Sequence, residues 1–230
     1  MINPSSGPGD SCPPPDYKTV LDRINSDEFD NIKTLGYVAT GYADKEVSEV
    51  NKEVEMYVSW SAACGDKGVT KSVDGIFFDE AAYKDDPEDI QTVKDVVEHA
   101  TEVIPNSIIH LNPGTALESD AYWAIADSSV YITVFENEQV SATENGQLPE
   151  DAILGQDGSS HADQAVLMYK WYEGTGNQLT QLVETSVNEL EVAGLFISNF
   201  EAGSQNSEYN EFGSDFGKFA DAFADALESS

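Results

Sequence analysis

The feature that most constrains this chain is the order in which its apolar segments recur. Short runs of strand length alternate with longer stretches whose apolar residues fall at helical spacing. Strands are expected at roughly 2–4, 32–38, 73–79, 107–111, 129–135, 165–171 and 193–199. Helices are expected at about 16–26, 47–60, 89–101, 119–125, 176–190 and 216–227. The helix at 16–26 places Tyr17, Val20, Leu21 and Ile24 on one face, and the helix at 89–101 places Ile90, Val93, Val96 and Val97 on its buried stripe. Such alternation predicts parallel strands joined by crossover helices, because a parallel pair cannot be closed by a tight turn.

Two α/β architectures fit this order, a barrel and an open doubly wound sheet. The barrel is preferred because polar and chemically capable residues follow nearly every strand, as they do at the C-terminal mouth of such a fold. With 230 residues and no dividing linker, one domain over 1–230 is expected. Seven strands can be counted where a closed (β/α)₈ TIM-type barrel has eight. The last strand–helix pair is complete, so the first strand is the one expected to be missing. No basic stretch leading into an apolar segment follows Met1. The native polypeptide is therefore expected to begin upstream, with an export signal and one further strand–helix unit.

The strand ends carry the chemistry. Val73-Asp74-Gly75-Ile76-Phe77-Phe78-Asp79-Glu80 has no polar side chain from Gly75 to Phe78 and then closes on two carboxylates, and the strand two further on ends at Glu136. Glycosidic cleavage needs such a pair: one acid protonates the leaving oxygen, and the other serves as nucleophile, base or electrostatic partner. The two-residue alternation separates Asp79 from Glu80. If Phe77 faces the barrel interior so does Asp79, and Glu80 points to the helix layer unless the backbone turns there. Which of the two acts directly is left open by the pattern. Other strand-end groups suited to lining a sugar cleft are Tyr37, Thr40, Tyr42, His110, Asn112, Trp171 and Asn199. Each also has a plain structural use, since Tyr and Trp at a rim commonly pack one flat face and wet one edge.

Charge narrows the partners. There are 11 basic residues against 43 acidic ones, a formal net charge of -32, and Arg23 is the single arginine. A nucleic-acid groove needs cationic side chains aimed at phosphates, and an anionic membrane surface would repel this chain. A polymer with free amino groups would be attracted and a neutral glycan would be indifferent; alternatively the acidity serves solubility alone. His99, His110 and His161 are scattered and no Cys-x-x-Cys pair occurs, so neither a metal site nor a cofactor is expected. Cys12 and Cys64 either pair in an oxidising compartment or remain two separate thiols. No apolar run reaches membrane-spanning length.

Three segments carry a family resemblance: Asn3-Pro4-Ser5-Ser6-Gly7-Pro8-Gly9, Leu35-Gly36-Tyr37-Val38-Ala39-Thr40-Gly41-Tyr42, and Val73 through Glu80, with Asn112-Pro113-Gly114 in support. In order and spacing they resemble the spherulin-4 family of fungal and bacterial secreted or cell-surface proteins. The resemblance implies a (β/α)₈ fold and endo-acting hydrolysis of α-1,4 linkages in galactosamine-containing polysaccharide. It also implies that Asp79, Glu80 and Glu136 are the catalytic acids. An extracellular or cell-surface monomer acting on polysaccharide, without cofactor, is the resulting expectation. A non-catalytic carbohydrate-binding protein on the same fold is the alternative.

Overall fold

The computed structural model describes residues 1–125, 129–137, 150–169, 176–198, 214 and 216–229. Six strands are named among them: β1 (Leu35–Ala39), β2 (Gly75–Asp79), β3 (Ile108–Asn112), β4 (Val130–Asn137), β5 (Ala165–Tyr169) and β6 (Gly194–Ile197). They form one six-stranded sheet in chain order, with parallel pairing in each registered pair. Six helices accompany them: α1 (Pro15–Ile24), α2 (Val47–Ala62), α3 (Pro87–Val103), α4 (Ala121–Ile125), α5 (Gly176–Glu184) and α6 (Phe216–Ser229). No helix among the described residues is long and apolar enough to cross a membrane. The segment expected as the first strand contributes a single parallel bridge, Ile2 with Gly36. The Ile2 N–H donates to Leu35 O at 2.7 Å and the Tyr37 N–H to Ile2 O at 2.9 Å.

The chain separates into two compact units. One comprises residues 1–113 and 124–130, the other 114–123 and 131–230. In the first unit, β1, β2 and β3 bury one face under their helices. Val38, Ile76, Phe78 and Ile109 have no accessible surface, nor do Tyr57 and Trp60 of α2. Burying a side chain such as Phe78 contributes about 2–3 kcal/mol. Gly36 is required by this packing: a Cβ there would lie 2.7 Å from the Tyr57 ring. That ring is itself fixed, since the Tyr57 hydroxyl lies 2.8 Å from Ile2 O and 3.0 Å from Tyr37 O.

α3 starts where its sequence dictates. The Asp86 side chain accepts from the Glu88 N–H at 2.8 Å, Pro87 opens the first turn, and Glu88 and Asp89 complement the helix dipole. Its buried stripe is Val93, Val96, Val97 and Ala100. Two expectations shift. Val20 of α1 is exposed, leaving Leu21 as that helix's buried residue. β1 begins at Leu35 rather than at 32, because Ile32 lies exposed in the turn after a 3₁₀ segment, Asp27–Phe29.

Cys12 and Cys64 are joined, with Cα atoms 5.7 Å apart across 52 residues of chain. The bridge ties the loop before α1 to the residues just after α2, and it resolves the choice between a disulfide and two thiols.

In the second unit, β4 continues to Asn137 and contains a bulge between Thr133 and Phe135. Ile132, Ala165 and Leu167 are fully buried, together with Val183 of α5. α5 runs on through a π-helical turn, Thr185–Glu189, so the helix expected over 176–190 is present in two forms.

Candidate active site

β1, β2 and β3 end in a common row, with Ala39, Asp79 and Asn112 partners in register. Two residues earlier on each strand come Tyr37, Phe77 and His110. By strand alternation these six share a face, opposite the one that packs on the helices. Phe77 stacks near Tyr37 at 6.2 Å between ring centroids and meets His110 edge-on at 4.7 Å. This aromatic row lies beneath Asp79.

The Asp79 carboxylate is held from both flanking strands. The Tyr37 hydroxyl donates to Oδ2 at 2.8 Å, and the Asn112 side-chain amide donates to Oδ1 at 2.8 Å. Burial, then the bond to Asp79 and the charges of Asp79, Glu80 and Glu53, push the Tyr37 hydroxyl far above its ordinary value. Tyr37 therefore stays a neutral donor throughout the range in which carboxylates titrate. With one oxygen fixed by each neighbour, the plane of the Asp79 carboxylate is set.

Glu80 is placed differently. Its φ is +52°, a left-handed conformation that costs a residue bearing a Cβ about 1–2 kcal/mol. The surroundings hold it there. Its carbonyl accepts the Tyr42 N–H at 2.6 Å and lies 2.8 Å from the Thr40 hydroxyl, which is also 3.1 Å from Asp79 O. The Thr40 N–H donates to Asp79 O at 2.9 Å, and the Ala81 N–H donates to Asn112 O at 3.1 Å. The backbone does turn at the strand end, so Glu80 leaves the alternation that would have sent it toward the helices. Its side chain is exposed, and among the described residues no hydrogen bond or ion pair reaches its carboxylate. Strain of this kind persists where surrounding structure over-determines it, commonly at functional sites.

Glu136 belongs to the second unit and lies in the last turn of pleat of β4, paired with Met168. The bulge decides its direction. In an unbroken strand Glu136 and Thr133 would face opposite ways; here Thr133 pairs with Val166 and Glu136 with Met168, so both share a face. The Glu136 N–H donates to Gly114 O at 3.2 Å, and a Cβ on Gly114, whose φ is +72°, would come within 3.0 Å of Glu136 Oε2. Gly114 is thus the residue that lets this carboxylate lie against the backbone.

The remaining sequence candidates divide. Tyr37 and Asn112 are the two groups that clamp Asp79. His110 packs edge-on to Phe77. Thr40 is buried, and its hydroxyl is engaged by backbone carbonyls, which makes it a holder of the Asp79–Glu80 turn rather than a group open to a ligand. Tyr42 is 49 % exposed and projects beside Glu80. Trp171 and Asn199 lie outside the described residues. Sequence reasoning missed Tyr83, whose ring meets Tyr42 edge-on at 6.3 Å. An aromatic three residues past a strand-end carboxylate was the available signal, masked by the charged run Lys84-Asp85-Asp86 beside it.

Comparison with known proteins bears on this arrangement. Spherulin-4 of Physarum polycephalum is 32 % identical over 139 residues, which is 60 % of this chain and 36 % of that protein. The match thus spans about a third of the length of that relative. The crystal structure of Aspergillus clavatus Sph3 in complex with GalNAc is similar with a TM-score of 0.76 and 30 % identity, covering 97 % of this chain and 84 % of that one. The profile of spherulation-specific family 4 matches residues 1–223, and with that match running through both compact units, the chain belongs to this family.

Proposed function

We propose that this chain is a glycoside hydrolase that cleaves α-1,4 linkages in galactosamine- or N-acetylgalactosamine-containing polysaccharide by carboxylate chemistry. The observation that carries the reading is the pairing of a clamped carboxylate with an open one. Asp79 is fixed by Tyr37 and Asn112, and Glu80 is turned out beside it by a strained backbone. A relative of similar fold holds GalNAc, which supports the choice of sugar. A TIM-type (β/α)₈ barrel belongs to the same proposal, supported by the parallel strand order and by the likeness to Sph3.

In this mechanism the exposed Glu80 protonates the glycosidic oxygen as the C1–O bond breaks. Asp79, unable to swing because both oxygens are held, presents negative charge to the oxocarbenium-like centre. The family resemblance implies a third acid, Glu136, for the remaining carboxylate function, as base on the incoming water or as nucleophile. Water then adds its hydroxyl to C1, displacing the carboxylate where one is bonded there, and the proton it gives up returns to Glu80, directly or through the base and solvent, which restores the starting state.

Two further parts of the reading rest on charge and on the disulfide. A net charge of -32 attracts a partly de-N-acetylated, cationic polymer. A Cys12–Cys64 bridge fits an extracellular or cell-surface location, where disulfides persist.

Incubating the purified chain with N-acetylated and with partly de-N-acetylated galactosaminoglycan tests the proposal. New reducing ends are the expected result. Binding to the polymer with no release of ends would make this a carbohydrate-binding protein instead.

A further inference from the structure

The left-handed backbone near the candidate site extends beyond Glu80. After β1 the chain passes through Gly41, Tyr42 and Ala43 with φ values of +60°, +55° and +73°. Three successive left-handed residues are unusual for L-amino acids, and only the first is a glycine. The turn is closed by the Asp44 N–H to Gly41 O at 3.0 Å and the Lys45 N–H to Thr40 O at 3.2 Å. Its effect is to lift the Tyr42 ring outward while the Tyr42 N–H stays bonded to Glu80 O at 2.6 Å. A large side chain 49 % exposed gains little for the core, so stability alone gives no reason for this strain.

The second observation is independent of the backbone. From the next loop, after β2, Tyr83 meets Tyr42 edge-on with ring centroids 6.3 Å apart. Tyr83 is half-buried, and the loop that carries it is anchored by Ala81 and Ala82, both buried. Two loops on adjacent strands thus hold two phenol rings at a fixed mutual angle beside an open carboxylate. Edge-to-face contact restricts the rings before any ligand arrives, so little side-chain freedom is left to lose on binding.

We propose that Tyr42 and Tyr83 form a stacking platform for a pyranose unit of the polysaccharide, next to but distinct from the unit whose linkage is cut. The C–H groups on one face of a pyranose carry partial positive charge and suit the electron-rich face of an aromatic ring. A platform outside the cleaved unit binds a chain running past the carboxylates, which is the requirement for internal cleavage. The inference rests on the glycoside hydrolase reading and deepens it by assigning residues to recognition of the neighbouring sugar.

The test uses four forms of the whole chain: unaltered, Tyr42→Asn, Tyr42→Phe and Tyr83→Ala. Asparagine removes the ring yet accepts a left-handed backbone, and the backbone N–H to Glu80 remains in every form. Reducing-end kinetics on N-acetylgalactosamine oligosaccharides of two to eight units are measured beside calorimetric binding of the same series. The expected result is a rise of about tenfold in KM for the octamer in Tyr42→Asn and Tyr83→Ala. The rise grows with substrate length, kcat changes by less than about twofold, and Tyr42→Phe, which keeps the ring, shows a smaller rise than Tyr42→Asn. Unchanged KM across the series, with hydrolysis intact, overturns the platform and leaves the hydrolase reading standing. A fall in kcat equal for all lengths also overturns it, because the tyrosines would then act through the Glu80 turn. If no form releases reducing ends yet Tyr42→Asn weakens octamer binding, the platform stands and the hydrolase reading falls. An unaltered chain that neither cuts nor binds any oligosaccharide overturns both.

Discussion

The Thr40 hydroxyl lies 2.8 Å from the carbonyl oxygen of Glu80, forty residues further along the chain, and helps hold that glutamate in a left-handed conformation at the end of β2. The contact has a measurable consequence. Thr40→Val keeps shape but removes the donor from a buried position. Turnover is expected to fall about tenfold, with a loss of about 1–2 kcal/mol of stability. Thr40→Ser restores the donor and should recover most of both. A purely structural role would lower stability without changing kcat of the folded enzyme, so kcat and KM measured below the unfolding transition distinguish the two.

The disulfide closes a loop of 52 residues. On chain-entropy grounds a loop of that size contributes about 4 kcal/mol. For a chain of this length the corresponding drop in Tm is about 8–16 °C. Thermal unfolding of the unaltered chain against Cys12→Ser/Cys64→Ser gives the value directly. Superimposable melts would mean that the loop is already held by other contacts.

Asp74 links the starts of β1 and β2, accepting from the Thr34 N–H at 2.8 Å and the Thr34 hydroxyl at 3.1 Å and pairing with Lys71. Burial raises its pKa, but the Lys71 ammonium and the Thr34 donors outweigh it and hold the carboxyl below the ordinary range. A depressed folded-state pKa means the unfolded chain binds the extra proton first as pH falls. The stability from Asp74 is therefore complete above the unfolded pKa of about 3.9 and is lost as pH drops through the folded value. Denaturant unfolding from pH 6 to pH 2.5 should show a shallower acid loss in Asp74→Asn than in the unaltered chain. Parallel curves would remove Asp74 from the account.

Much of this was legible in the sequence where local pattern decides the outcome. Ile76 and Phe78 read as buried because they alternate with residues of the other face, and the same alternation puts Asp79 on the face of Phe77. The stripe of Val93, Val96 and Val97 follows from helical spacing alone. What was not legible depends on partners distant in sequence. The left-handed turn at Glu80 needs Thr40 and Tyr42; nothing in Phe78-Asp79-Glu80-Ala81 announces it. The bulge that re-aims Glu136 lies in an apolar strand, Val130 to Phe135, with no glycine or proline to mark it. Pairing of Cys12 with Cys64 depends on where α1 and α2 pack, so spacing could not decide it.

The central claim is that carboxylate chemistry at these strand ends cuts polysaccharide. The most direct measurement is reducing-end release from galactosaminoglycan by the unaltered chain and by Asp79→Asn, Glu80→Gln and Glu136→Gln, each with an unchanged circular dichroism spectrum. Each variant is expected to lose about 10²- to 10⁴-fold in kcat, the usual contribution of a positioned acid or base. Turnover near the unaltered value in Asp79→Asn and Glu80→Gln would contradict the account.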